Sequence, residues 1–314
     1  MSELREITTG LRFPEGPVAM DDGSVILVEI ARGQLTRVNT ETGTQEVVAE
    51  TGGGPNGAAV GPDGAMYVCN NGGCFEFIEV MGMLFPGPPP ASYPGQGSIQ
   101  RVDLGTGTVE TLYEECADAE GAMHPLRAPN DIVFDTAGGM WFTDHGVRQG
   151  RTSDRTGIYY AKADGSSITE VIFPVDAPNG IGLSPSGDRV YVAETHTGRV
   201  WAWNVPSPGV AEGANPVGPS GGELLVGLEG YQLFDSLGVD GDGWVCVATL
   251  VNGGITSVSP DGSSVEHLAT GDPITTNICF GGPDLGTAYI TCSGTGRLLA
   301  TEWPRPGLQL AYHA

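Results

Sequence analysis

Apolar residues along this chain come in short runs rich in Val, Ile, Tyr and Trp, and clusters of Gly, Pro, Asn and Asp separate the runs. That pattern predicts strands joined by tight turns. Six times, such a run begins just after one polar residue. The segments are PEGPVAM, PNGAAVGPDG, PNDIVFDTAGG, PNGIGLSPSG, FDSLGVDGDG and TNICFGGPDLG, and the marked residues are Glu15, Asn56, Asn130, Asn179, Asp235 and Asn277. Each segment leads into a second run: VILVEI, AMYVCN, MWFTDH, RVYVAE, WVCVAT and TAYITC. Third and fourth runs follow in most units, as in GQLTRVN with QEVVAE and GIYYAKA with ITEVIF. Helical periodicity is nearly absent, which sets aside an α/β barrel or a doubly wound sheet.

The repeat predicts an all-β fold, a six-bladed β-propeller formed by residues 1–314 as one domain, with blades starting near 15, 56, 130, 179, 235 and 277. A four-stranded blade takes about 40 to 50 residues. The intervals 15–56, 130–179 and 235–277 match that length, and the other two carry insertions. The sixth unit has only a weak fourth run, GLQLAYH, so the N-terminal LREITTG is expected to supply an outer strand and close the ring. Radial repetition brings the six marked residues together around the axis. Loops from second to third strands emerge on the same face. One of them, at 72–97, carries Met81, Met83, Leu84, Phe85 and Tyr93 and reads as an apolar flap over the ring. Its counterpart in the third unit gathers Arg148, Arg151 and Arg155 beside His145.

Charge narrows the partners. With Lys+Arg 14 against Asp+Glu 38, the net charge of -24 argues against nucleic acid and anionic membranes as partners. No leader-like or membrane-length apolar stretch interrupts the pattern, so a cytoplasmic protein is expected. Four of the six cysteines, Cys69, Cys246, Cys279 and Cys292, fall inside predicted strands, where a thiol behaves as a small buried apolar group.

Two acids and two amides, Glu15, Asn130, Asn179 and Asp235, form an oxygen-only donor set that suits one hard divalent cation in the central channel. Calcium is the best match; zinc, manganese, magnesium and ferrous iron are the alternatives that ligand type leaves open. Turn chemistry alone explains each PNG or PND, but it gives no reason for acids in two units of six. The strings GPSGG at 218–222 and GGGPNG at 52–57 fit GxSxG and GxGxxG, but no helical pattern follows either, so no nucleophile elbow or nucleotide loop is expected.

FPEGPV, RAPNDIVFDTAGGMWFTD, APNGIGLSPSGDRVYVAET, FDSLGVDGDGWVCVATLVNGGITSVSPDG and TNICFGGPDLGTAYIT resemble the gluconolactonase, senescence-marker-protein (regucalcin) and luciferin-regenerating-enzyme family of six-bladed propellers. The resemblance implies a divalent metal held by Glu15, Asn179 and Asp235, with Asn130 as ligand or substrate contact. It also implies hydrolysis of lactones, typically sugar aldonolactones, with Asp235 acting on the attacking water or attacking directly and Glu15 as the anchoring ligand. Arg127 is expected to bind a substrate hydroxyl or the new carboxylate. His145 and His196 could assist proton transfer to the leaving alkoxide, and Asn56 and Asn277 would support the ring or touch substrate. Two other readings stay open at this point: hydrolysis of an organophosphate or another ester, and a non-catalytic propeller that binds calcium or a metabolite.

Overall fold

The computed structural model describes residues 3–313. Five four-stranded antiparallel sheets and one five-stranded sheet are arranged as blades. Their innermost strands are Pro14–Ala19, Pro55–Val60, Pro129–Phe134, Pro178–Leu183, Leu233–Val239 and Thr275–Gly281. Each of these strands contacts the innermost strand of the next blade, and the sixth contacts the first, so the ring is closed. Strand Arg5–Thr8 pairs with Arg297–Glu302 as the outermost strand of the sixth blade. The expected N-terminal closure is therefore the one the chain makes. GLQLAYH adds no outer strand; it crosses the lower end of the channel, with Gly307 bridged to Asp240 and Tyr312 packed edge-on against Phe134 at 5.9 Å. Among the described residues no helix is long and apolar enough to cross a membrane.

Burial follows from position in the blade. Second strands such as Val25–Glu29, Met66–Asn70 and Gly139–Asp144 are buried at every residue because a neighbouring blade covers each face. They read as continuous apolar runs for that reason. Outer strands such as Gln45–Glu50 are mostly exposed. The core lies between blades: Trp141, for example, packs with Ile158, Ile181 and Val190 in one cluster. All six cysteines are free thiols, five of them buried.

A shared irregularity shapes the centre. In every innermost strand the pairing with the second strand slips near the marked residue, between Glu15/Val18, Pro55/Ala58, Pro129/Ile132, Pro178/Ile181, Phe234/Leu237 and Thr275/Asn277. Such a bulge bends a strand and re-aims its side chains. It is how these polar residues come to face the axis at the start of each strand. The residue after the marked one is glycine in three units, and crowding explains why. A Cβ on Gly16 would lie 2.4 Å from the Asn56 carbonyl oxygen, one on Gly57 would lie 2.5 Å from that of Asn130, and one on Gly180 would lie 2.5 Å from the Leu237 nitrogen. These glycines sit in strands that approach backbone to backbone, so the PEG and PNG segments are channel packing rather than turns.

The insertion at 72–97 forms a small hairpin, Phe77–Val80 with Met83–Pro86. It leans on the first and sixth blades: Leu84 N–H donates to the Gly294 carbonyl at 2.8 Å, and the Phe77 ring lies 4.9 Å from that of Phe13. Leu84 is buried, whereas Met81 at the tip is 96% exposed.

Close approach at the axis makes a clear stability prediction. Gly16→Ala should cost about 2 to 4 kcal/mol, because the new Cβ meets backbone that cannot rotate away. Gly64→Ala, also at positive φ but in open space, should cost only about 1 kcal/mol. Urea unfolding of both variants checks the difference, and equal costs would refute the crowding argument.

Candidate active site

The bulges bring the predicted residues to one level of the channel, nearly all out of contact with bulk water. Glu15, Asn56, Asn130, Asn179 and Asn277 are buried, while Asp235 keeps part of its surface open. Glu15 Oε2 accepts hydrogen bonds from Gly16 N–H at 2.6 Å and from Asn277 Nδ2 at 2.7 Å. Asn277 therefore orients the glutamate. Asn179 Nδ2 donates to Thr195 Oγ1 at 3.0 Å, and its Oδ1 accepts from Ser236 Oγ at 3.3 Å. Thr143 links the third and fourth blades, with its hydroxyl donating to the Asn179 carbonyl at 2.6 Å and accepting from Asp131 N–H at 3.1 Å.

Sequence reasoning missed Asp131. It follows Asn130 at the position that glycine holds in three other units, and it is buried one level below the ring. Its carboxylate accepts from Ile132 N–H at 3.0 Å and from Ile181 N–H at 3.1 Å. The signal was present as PND among PEG and PNG segments. Among the six units, with Gly16, Gly57, Gly180, Ser236 and Ile278 at this position in the others, it is the one place where the residue after the marked one is an acid.

Three acids in so small and dry a space perturb one another. Burial, and then the nearby charge of Asp235, push the Glu15 carboxyl well above its usual range. Burial also pushes Asp235 and Asp131 up to about 7, although hydrogen bonds from Asn179 and Ser236 to Asp235 partly oppose this. Two buried oxygens at the ring, Glu15 Oε1 and Asn130 Oδ1, have no hydrogen-bond partner. Buried acceptors left alone are costly, and buried like charges more so. A hard divalent cation would relieve both penalties at once: the donor atoms are all oxygen, the acids supply compensating charge, and two acceptors lack another partner. No cage of three or more His, Cys, Asp or Glu side chains forms among the described residues.

The remaining predicted residues surround the ring. His145 and His196 meet edge-on with ring centroids 5.6 Å apart, and His145 Nδ1 lies 3.0 Å from the Gly146 carbonyl. Burial depresses His145, and burial with the charges of His145 and Arg148 lowers His196 to about 4. Arg148 pairs with Asp176 at 2.9 Å. Arg127 is engaged with protein: its Nε donates to Asp154 at 3.0 Å, its Nη1 donates to the Gly95 carbonyl, and its own carbonyl accepts from Tyr93 hydroxyl at 2.5 Å. It therefore clamps the end of the 72–97 insertion to the third blade. Asn56 occupies the ring between Glu15 and Asn130.

A second set of polar side chains supports the ring from the ends of the second strands. Glu29 accepts from Arg12 N–H at 2.6 Å. Asn70 accepts from Gly54 N–H at 2.9 Å. Asp144 accepts from Arg127 N–H at 2.6 Å and Ala128 N–H at 2.7 Å, and Glu194 accepts from Asp176 N–H at 3.1 Å. Each satisfies backbone just before an innermost strand and so fixes where that strand begins.

Residues 13–294 match the SMP-30/Gluconolactonase/LRE-like region. The chain is 25% identical over 297 residues to the pentonolactonase XacC of Haloferax volcanii, which spans 94% of this chain and 86% of that one. Among solved structures it is similar to a gluconolactonase of Xanthomonas campestris, with a TM-score of 0.73, 20% identity and coverage of 96% and 90%. It is also similar to a calcium-binding regucalcin of Agrobacterium tumefaciens, with a TM-score of 0.70, 18% identity and coverage of 98% of each chain.

The depressed histidine gives a pH prediction. His196 is neutral in the folded chain down to about 4, whereas in the unfolded chain it takes up its proton near 6.5. The unfolded state then binds more protons between these values, so this residue's contribution to stability falls as pH drops from about 6.5 toward 4. Relative to the parent, His196→Gln should gain stability across that window and not above it. Denaturant midpoints at matched pH check this, and a pH-independent difference would contradict it.

Proposed function

The chain belongs to the SMP-30/gluconolactonase/LRE-like family, and from that premise we propose that it is a lactone hydrolase acting on a small sugar-type lactone at the ring of Glu15, Asn130, Asn179 and Asp235. The observation that carries the reading is that the Glu15 and Asp235 carboxyls lie at one level of the channel together with two buried oxygens, Glu15 Oε1 and Asn130 Oδ1, that have no hydrogen-bond partner among the described residues. That the similar proteins include a pentonolactonase and a gluconolactonase supports the substrate class.

Glu15, Asn179 and Asp235 are the residues that would hold a calcium ion, with Asn130 Oδ1 as a fourth oxygen. When bound, such a cation supplies a Lewis acid that polarises an ester carbonyl. The residues do the rest. Asn277 and Gly16 fix one oxygen of Glu15, so its other oxygen is aimed without freedom to turn away. The carboxyl of Asp235 keeps partial access to the channel, and it takes a proton from the water whose oxygen adds to the lactone carbonyl carbon. As the ring C–O bond breaks, the same carboxyl returns that proton to the departing alkoxide. The outcome is a hydroxy acid. Because Arg127 is committed to Gly95 and Asp154, substrate hydroxyls are assigned to Asn56 and Asn130. His145 and His196, both held neutral, offer hydrogen bonds rather than charge.

A sugar lactone is favoured over an apolar ester because of where the hairpin places its apolar residues. Leu84 is buried and Phe77 packs against Phe13, so they build the hairpin's seat rather than a greasy pocket.

Three outcomes are expected. Asp235→Asn should lower turnover of aldonolactones about a hundredfold or more while leaving the circular dichroism unchanged; full activity would remove Asp235 from the chemistry. Chelation should abolish hydrolysis, and calcium should restore it best in an add-back series of divalent ions. Glu15→Gln should raise the melting temperature of the chelated protein, by removing one of two mutually repelling buried acids. It should also erase the rise that calcium gives the parent. A calcium-dependent rise that survives in Glu15→Gln would place the cation elsewhere.

A further inference from the structure

The ring occupies only the upper end of the channel. Below it, a cavity of about 420 Å³ opens on the face opposite the 72–97 hairpin. Its walls are the later halves of the innermost strands, with Val18, Val133, Leu183 and Phe280 among them, and the turns that follow those strands. Of the six marked residues only Asn277 reaches it. The volume lies within the range of small-molecule sites, roughly 300–1,000 Å³.

The C-terminal segment helps to form the mouth of this cavity. Arg305 anchors it, donating from Nε to the buried Asp240 carboxylate at 2.5 Å with its guanidinium 4.2 Å above the Trp244 ring. Leu308 N–H then bonds the Val239 carbonyl at 3.3 Å, and the segment runs on to Tyr312 beside Phe134. Aromatic side chains are thus added at the entrance.

Charge decides what fits. Among the described residues no lysine or arginine lines the cavity, whereas three aspartates do: Asp131 at the inner end, and Asp135 and Asp188 in the turns at the mouth. Ser184 and Ser186 donate their hydroxyls to Asp188 at 2.8 and 2.6 Å, which favours its charged form. His313 is the one basic side chain at the mouth, and in its neutral form it leaves the balance acidic. Apolar walls with an acidic entrance repel carboxylates and phosphates and attract cations. Phe134 and Tyr312, both of which line the cavity, add aromatic rings to this acidic mouth, and an ammonium group is compatible with such rings.

We propose that this lower cavity is a second binding site, separate from the ring, for a small organic cation whose apolar or aromatic body enters the channel while its ammonium group stays at the mouth beside Asp135 and Asp188. The occupant is defined by charge complementarity and size. Nothing in this assignment depends on the chemistry of the upper ring.

A matched series tests it: phenylpropylammonium, phenylpropanol and phenylpropanoate, which share one apolar body and differ in charge, titrated calorimetrically into the full chain. The ammonium should bind about tenfold or more tightly than the alcohol, with an affinity that falls as salt is raised, and the carboxylate should not bind. Val133→Trp, which fills the cavity, should abolish ammonium binding. The double variant Asp135→Asn with Asp188→Asn should reduce it to the level of the alcohol, and because both positions lie in turns this arm stands even if Val133→Trp does not fold. The proposal is overturned if no member of the series binds or if phenylpropanoate binds as well as the ammonium. It is also overturned if ammonium binding survives in the variants that fold, which would mark simple adsorption to an acidic surface.

Discussion

Everything at the centre of this propeller depends on how closely six strands approach one axis. At Gly16, Gly57 and Gly180 the neighbouring backbone lies where a Cβ would be, so the channel is as narrow as glycine permits. That narrowness excludes most of the water which would otherwise screen charge, and it places Glu15, Asp131 and Asp235 in one another's field. A wider ring would leave the same acids solvated and ordinary. Chemistry here follows from a packing constraint.

Holding such a ring open requires support from outside it. The bulges turn the polar residues inward, and the side chains closing the second strands, Glu29, Asn70, Asp144 and Glu194, satisfy the backbone just upstream of four of the six inner strands. The acidic excess of the chain is thus partly structural. Some carboxylates serve as fixed acceptors for amides that have no sheet partner, a task a cation could not perform.

The blades and the ring were legible in the sequence because repetition averages out local ambiguity: six copies of one pattern in one order leave little freedom in topology. What the pattern could not convey was contact between copies. PNG reads locally as a turn, and only the neighbouring strand reveals that Gly57 and Gly180 are packing positions. Asp131 escaped notice for the same reason, since its meaning lies in the comparison with glycines of other units. Arg127 looked like a substrate group because its partners, Gly95 and Asp154, come from loops whose paths sequence does not fix. The apolar residues of the 72–97 insertion were visible, but whether they faced a ligand or a neighbouring blade was decided by Phe13 and Gly294, which are remote in the chain. The weak run GLQLAYH had the composition of an outer strand, yet Arg5–Thr8 already fills that edge.

The sixth blade is made from both ends of the chain, and the hydrogen bond from Asn277 to Glu15 spans 262 residues. During synthesis the glutamate leaves the ribosome early and must wait for nearly the entire protein before its partner exists. The ring therefore closes only as the final seam is sewn. A chain interrupted before Asn277 holds every acid of the site but lacks the amide that orients Glu15, so the order of the acids is set by the last part of the ring to form.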